Sequence, residues 1–179
     1  LFNLSKKDNY GVLEVGMDKK GEIDYLSKII KPDISVITNI NYAHAKNFKN
    51  IKDIALAKSE IISNTKPNGF VILNADDNFF RLHQKIATKN NINTISFGIN
   101  NHKSDVKLIS IIKTVNNFKI NIKARDFNKC FVISNNFQNN IYNILAALAV
   151  MSINIDIKKL DKKVFFNFTL PKGEEIYQE

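Results

Sequence analysis

Apolar positions along the chain follow two rhythms. Between residues 10 and 98, short continuous apolar runs alternate with stretches in which apolar residues recur every three or four positions. The runs read as strands buried on both faces and the periodic stretches as amphipathic helices. Strands are expected at 10–15 (YGVLEV), 34–38, 70–73 and 93–97, the last closed by Gly98. A helix is expected from Gly21 to Ile30, with Ile23, Leu26, Ile29 and Ile30 facing inward and Pro32 stopping it. A second follows Asn50, a suitable N-cap, with Ile51, Ile54, Ala55, Ile61 and Ile62 on its apolar stripe, and a third spans about 77–89. This alternation predicts an α/β fold, a mostly parallel sheet covered by helices. From about 105 to 134 the pattern changes to three strands, 106–112, 118–124 and 129–133, joined by short polar turns. Such connections join only antiparallel neighbours, so a small antiparallel sheet is expected there. An Ala- and Leu-rich helix over 138–151 and a last helix over 157–168 complete the reading, with no internal repeat and no low-complexity linker.

Composition narrows the function classes. With 179 residues and 44% hydrophobic content the chain can bury a core of ordinary domain size. No apolar run approaches the roughly 18 residues of a membrane span, and no signal-peptide pattern opens the chain. One cysteine, Cys130, excludes an internal disulfide framework and a cysteine-based zinc site, which suits a reducing, cytoplasmic setting. The net charge of +9 rests on lysines spread over nearly every segment, with Arg81 and Arg125 the only arginines. That distribution is a Lys, Ile and Asn bias and not a phosphate-binding face, so nucleic acid is not expected as a partner. The chain starts at Leu1 without an initiator Met and stops soon after a Pro-Lys-Gly turn, as a piece of a longer protein would.

Candidate chemistry gathers near the ends of the first strands. Lys58 lies on the apolar stripe of the second helix, four residues after Ile54 and seven after Ile51. Either its methylenes pack and its ammonium snorkels to the edge, or burial disfavours the charged form and leaves a reactive neutral amine. Glu14 is a carboxylate in an otherwise apolar run, and Asn39 and His44 follow the second strand. Ligands of doubly wound sheets bind beyond the C-terminal strand ends, where Glu14, Asn39, His44 and Lys58 can converge if the strands are neighbours. None of the six glycines is followed by Lys-Ser or Lys-Thr, so these residues contain no P-loop.

An ordered set of motifs resembles a known family. Glu14-Val15-Gly16, Gly21-Glu22-Ile23, Val36-Ile37-Thr38-Asn39-Ile40, Ala43-His44 and Ile54-Ala55-x-Ala57-Lys58-x-Glu60-Ile61 are similar to the central ATPase domain of the Mur ligases. Asn74-Ala75-Asp76 and Asn140-x-x-Asn143-x-Leu145-Ala146-Ala147 extend the match over nearly the whole chain. Gly21-Glu22-Ile23 is most similar to the members that add D-alanyl-D-alanine to a UDP-N-acetylmuramoyl-tripeptide.

The resemblance implies a partial central ATP-binding domain over 1–170, with 171–179 starting a linker to a further domain. It implies an ATP- and magnesium-dependent amide ligase, monomeric, working through an acyl phosphate in peptidoglycan precursor synthesis. Glu14 would ligate magnesium, Asn39 would lie near the γ-phosphate, and Lys58 would be carbamylated and hold a second magnesium with His44. Asn140 and Asn143 would lie near the adenine. Departures from the family pattern fall at Lys46, at Phe137-Gln138-Asn139 and at Pro171-Lys172-Gly173-Glu174. The chain by itself is expected to be inactive. The alternatives are a related ligase such as folylpolyglutamate synthase, or a non-catalytic remnant that keeps the fold.

Overall fold

A computed structural model describes residues 7–42, 47–134 and 140–166. In chain order the elements are α1 (Glu22–Ile30), β1 (Ile34–Ile37), α2 (Ile51–Ser63), β2 (Phe70–Asn74), α3 (Phe80–Lys89), β3 (Asn93–Gly98), β4 (Val106–Lys113), β5 (Asn117–Ala124), β6 (Phe127–Ser134) and α4 (Ile141–Asn154). The six strands form one sheet in the order β1-β2-β3-β4-β5-β6. β1 to β4 are parallel, while β4, β5 and β6 are antiparallel. The antiparallel strands expected over 105–134 are thus continuous with the parallel ones, joined where Phe97 and Gly98 pair with Val106 and Lys107.

Side-chain alternation on β2 divides the core between the two faces. Val71 and Leu73 join Ile37, Ile54, Ala55 and Ile62 under α2 and α3, whereas Ile72 joins Ile95, Phe97, Leu145 and Leu148 under α4. A parallel sheet buried this way requires continuous apolar strands, which is why 70–73 reads FVIL.

Three expected elements differ. Residues 10–15 form no strand; Tyr10, Val12 and Leu13 are exposed. Apolarity alone does not make a strand, because the backbone needs a neighbour to pair with, and among the described residues β1 pairs only with β2. In α1 the buried residues are Ile23 and Ser27, while Leu26 and Ile29 are exposed, since α1 packs chiefly against α2. The helix expected over 157–168 is a short 3-10 turn, Ile157–Lys159, followed by turns through 166. Asp156 and Asp161 each accept from the amide two residues on, which breaks the region into separate turns, and the Val132 amide donates to the Lys162 carbonyl. Ile157 and Phe165 peg these turns to the core.

Candidate active site beyond the C-terminal strand ends

α2 is aimed by its own sequence. Asn50 accepts from the Asp53 amide at 3.0 Å and so caps the helix, and Ile54, Ala55, Ala57 and Ile62 bury one side of it. Lys58 follows on that side, half-buried, and its Nζ donates to the Asn39 carbonyl at 2.9 Å. The next amide in the chain, Ile40 N–H, donates to Asp77 Oδ2 at 2.8 Å. One peptide unit, between Asn39 and Ile40, is therefore gripped at both its oxygen and its nitrogen. Asp77 Oδ1 also accepts from the Phe79 amide at 2.7 Å, and Asn74 Nδ2 donates to the Thr38 carbonyl at 3.1 Å. The loops after β1 and β2 are thereby tied together, leaving the exposed Asn39 side chain on a fixed backbone.

Burial pushes the Lys58 amine below the ordinary lysine range, and the Asp77 carboxylate opposes that only in part. Behind it, His83 of α3 is 2% exposed and its Nε2–H donates to the Ala55 carbonyl, three residues before Lys58, at 3.0 Å. A carbonyl only accepts, so the ring carries its proton on Nε2. Burial also holds His83 below its usual value, with Lys58 adding to the effect and the Ala55 carbonyl and Asp77 opposing it.

The other end of α2 is docked as well. The Glu60 carboxylate accepts from the amides of Gly21, at 3.0 and 3.1 Å, and Asp24, at 3.0 Å, which are the otherwise open donors at the start of α1. Gly21 has φ 91°, a left-handed conformation that suits glycine and lets the chain turn into the helix.

A second cluster lies past β2 and β3. The Asp76 carboxylate accepts from three successive amides, Ile99 (2.6 Å), Asn100 (3.0 Å) and Asn101 (2.7 Å), and from the Tyr142 hydroxyl at 3.0 Å. Burial raises the Asp76 pKa, but these donors together outweigh it and hold the carboxyl below its usual range. Tyr142 lies between Asn140 and Asn143, whose side chains meet at 3.3 Å.

The expected site residues separate accordingly. Asn39 and Lys58 touch, and Asn140 and Asn143 touch each other. Glu14 is exposed on the irregular stretch before α1, and His44 lies outside the described residues. Asp76, Asp77, His83 and Tyr142 were not anticipated as site residues. Their signals were an Asp-Asp pair at a strand end and a histidine at an inward position of α3, between Phe80 and Ala87.

Comparison with known proteins identifies the family. The model of the Mur ligase middle domain matches residues 1–151. The chain belongs to the Mur ligase family. As a middle domain it is 37% identical over 168 residues to the UDP-N-acetylmuramoyl-tripeptide--D-alanyl-D-alanine ligase of Buchnera aphidicola, covering 89% of this chain and 35% of that protein. It is similar to the MurF structure from Acinetobacter baumannii (TM-score 0.77, 27% identity, 88% of this chain and 34% of that one). It also resembles the MurF ligase of Thermotoga maritima solved in complex with ADP (TM-score 0.68, 26% identity, 84% of this chain and 36% of that one). The chain spans about a third of the length of these relatives.

Within this Mur ligase middle domain, no group of three or more His, Cys, Asp or Glu side chains gathers to hold a metal among the described residues. Were the half-buried Lys58 amine a carbamate, it would present oxygen, the donor type that hard cations take. No helix among the described residues is long and apolar enough to cross a membrane.

Proposed function

We propose that this chain is the nucleotide-binding part of a cytoplasmic, monomeric ligase that uses ATP to join D-alanyl-D-alanine to a UDP-N-acetylmuramoyl-tripeptide. The kinship with ligases named for that reaction supports the substrates, and it favours this reading over a folylpolyglutamate synthase. The observation that carries the chemistry is Lys58, half-buried beyond the strand ends with its nitrogen on the Asn39 carbonyl.

In the ligation, an acceptor carboxylate oxygen attacks the γ-phosphorus of ATP and ADP leaves. The dipeptide amine then attacks the acyl carbon, and phosphate and a proton depart. Catalysis of this kind depends on positioning and on neutralising phosphate charge. Asn39 orients the γ-phosphoryl group from a backbone pinned by Lys58 and Asp77, and Asn140 and Asn143 hold the adenine. The neutral Lys58 amine adds to carbon dioxide, losing one proton and keeping one. The retained N–H stays on the Asn39 carbonyl and so orients the new carboxylate. Glu14 would hold one magnesium, and the Lys58 carbamate with His44 a second; magnesium supplies charge neutralisation at the phosphates when bound.

Since the chain spans about a third of its relatives, the test uses the complete polypeptide that contains it. Phosphate release is followed with the UDP-muramoyl-tripeptide, D-alanyl-D-alanine and magnesium-ATP. Turnover that drops at least a hundredfold in Lys58→Ala, and returns in part with added acetate or formate, is the expected result. Turnover that needs no tripeptide substrate, or that Lys58→Ala leaves unchanged, rejects the reading.

A further inference from the structure

We propose that Asp76 and Tyr142 are positioning residues that set the base-binding face of the nucleotide site; this rests on the reading above, in which Asn140 and Asn143 meet the adenine. α4 begins without a side-chain cap, since Asn140 at its N-cap makes no capping hydrogen bond and instead accepts from Asn143 Nδ2. The first turn therefore has no polar anchor from its own N-cap side chain. Ile141, Ile144 and Leu145 seat one side of it in the core, and the polar contact that adds to them is the Tyr142 hydroxyl, donated to Asp76 Oδ2.

Asp76 is in turn immobilised by the amides of Ile99, Asn100 and Asn101. Gly98 lets the carboxylate approach, because a Cβ there would stand 3.1 Å from Asp76 Oδ1 and 2.9 Å from Ser104 Oγ. One carboxylate at the end of β2 thus references both the β3–β4 loop and the start of α4. Tyr142 is partly buried against the core while Asn143, the next residue, is exposed. Successive helical residues are about 100° apart, so fixing Tyr142 inward turns the Asn140–Asn143 edge outward. The helix is held in rotation at its weakest end, where a flat heterocycle would meet two amide side chains.

The Asp76–Tyr142 contact is tested in the complete polypeptide by calorimetric titration with ADP and with GDP, and by steady-state kinetics in ATP. Tyr142→Phe removes one oxygen and keeps the ring, so the fold survives. The expected result is a three- to tenfold weaker ADP affinity, a matching rise in KM for ATP, a kcat within about twofold of wild type, and weaker discrimination against GDP. Asp76→Asn follows in the same direction. A Tyr142→Phe protein that melts earlier but binds ADP as wild type does shows a structural contact only and overturns the proposal. A wild-type polypeptide that binds no ADP overturns the functional reading and this inference with it.

Discussion

Lys58 Nζ donates to the carbonyl of Asn39 at 2.9 Å, and this contact joins the two residues that the sequence most clearly singles out. The Asn39–Ile40 peptide is anchored from its other side by Asp77 at 2.8 Å, so the lysine does not simply snorkel along a helix. Its nitrogen has a fixed address, and burial favours the neutral amine there.

A depressed amine pKa has a direct readout. With ¹³C-labelled bicarbonate at a pH of about 8, the complete polypeptide should show a carbamate resonance that is absent in Lys58→Met. That resonance should persist to lower pH than carbamates on exposed lysines, because protonation competes less with carbon dioxide where burial disfavours the ammonium. An identical spectrum from Lys58→Met would remove the carbamate from the mechanism.

His83 gives α2 a pH-dependent hold. Its folded pKa lies below the unfolded value of about 6.5, so the unfolded chain binds the proton first. The stability it contributes is present above that pH and is lost as pH falls through the folded value. Protection factors of α2 amides, corrected for the intrinsic pH dependence of exchange, should fall below about pH 6.5 in wild type and much less in His83→Gln, where an amide can still donate to the Ala55 carbonyl. His83→Ala should cost about 1–3 kcal/mol at neutral pH by leaving a cavity and removing that donor.

Ile54 is 1% exposed and lies one turn before Lys58. Truncation to Ala should lower the opening free energy of α2 amides by about 2–5 kcal/mol, the range for buried Ile to Ala. Hydrogen exchange across 51–63 measures it. A loss below about 1 kcal/mol would mean that α2 is seated by other contacts.

Glu60 caps a helix to which it does not belong. Glu60→Ala should leave the Gly21 and Asp24 amides without their carboxylate and destabilise α1 by about 0.5–2 kcal/mol, as loss of an N-cap does. Faster exchange confined to α1 is the expected pattern, and exchange unchanged there would assign the seating of α1 to Ile23 and Ser27 instead.

Much of the architecture could be read from local pattern. The continuous apolar run of β2, the shorter apolar segments of β1 and β3 and the 3.6-residue stripe of α2 reflect local burial demands, and all four elements form where the pattern put them. Residues 10–15 carry the same apolar pattern yet form no strand, because pairing is a property of two segments and not of one. The exposed Leu26 and Ile29 repeat the point: periodicity states which side of a helix is apolar, while only the packing partner decides how much of it is covered.

For the site, residue types and spacing put Lys58 on an inward stripe and Asn39 past a strand end, and the ordered motifs named the family. Those facts are local in the chain. That Asp77 grips the peptide after Asn39, that His83 braces the turn before Lys58, and that Asp76 ties Tyr142 to three loop amides were decided by tertiary structure alone. Each joins groups 28 to 66 residues apart in sequence, except the loop amides at 23 to 25. A hydrogen bond depends on distances of about 3 Å, and no periodicity in a sequence encodes a separation that only the packed sheet and helices create.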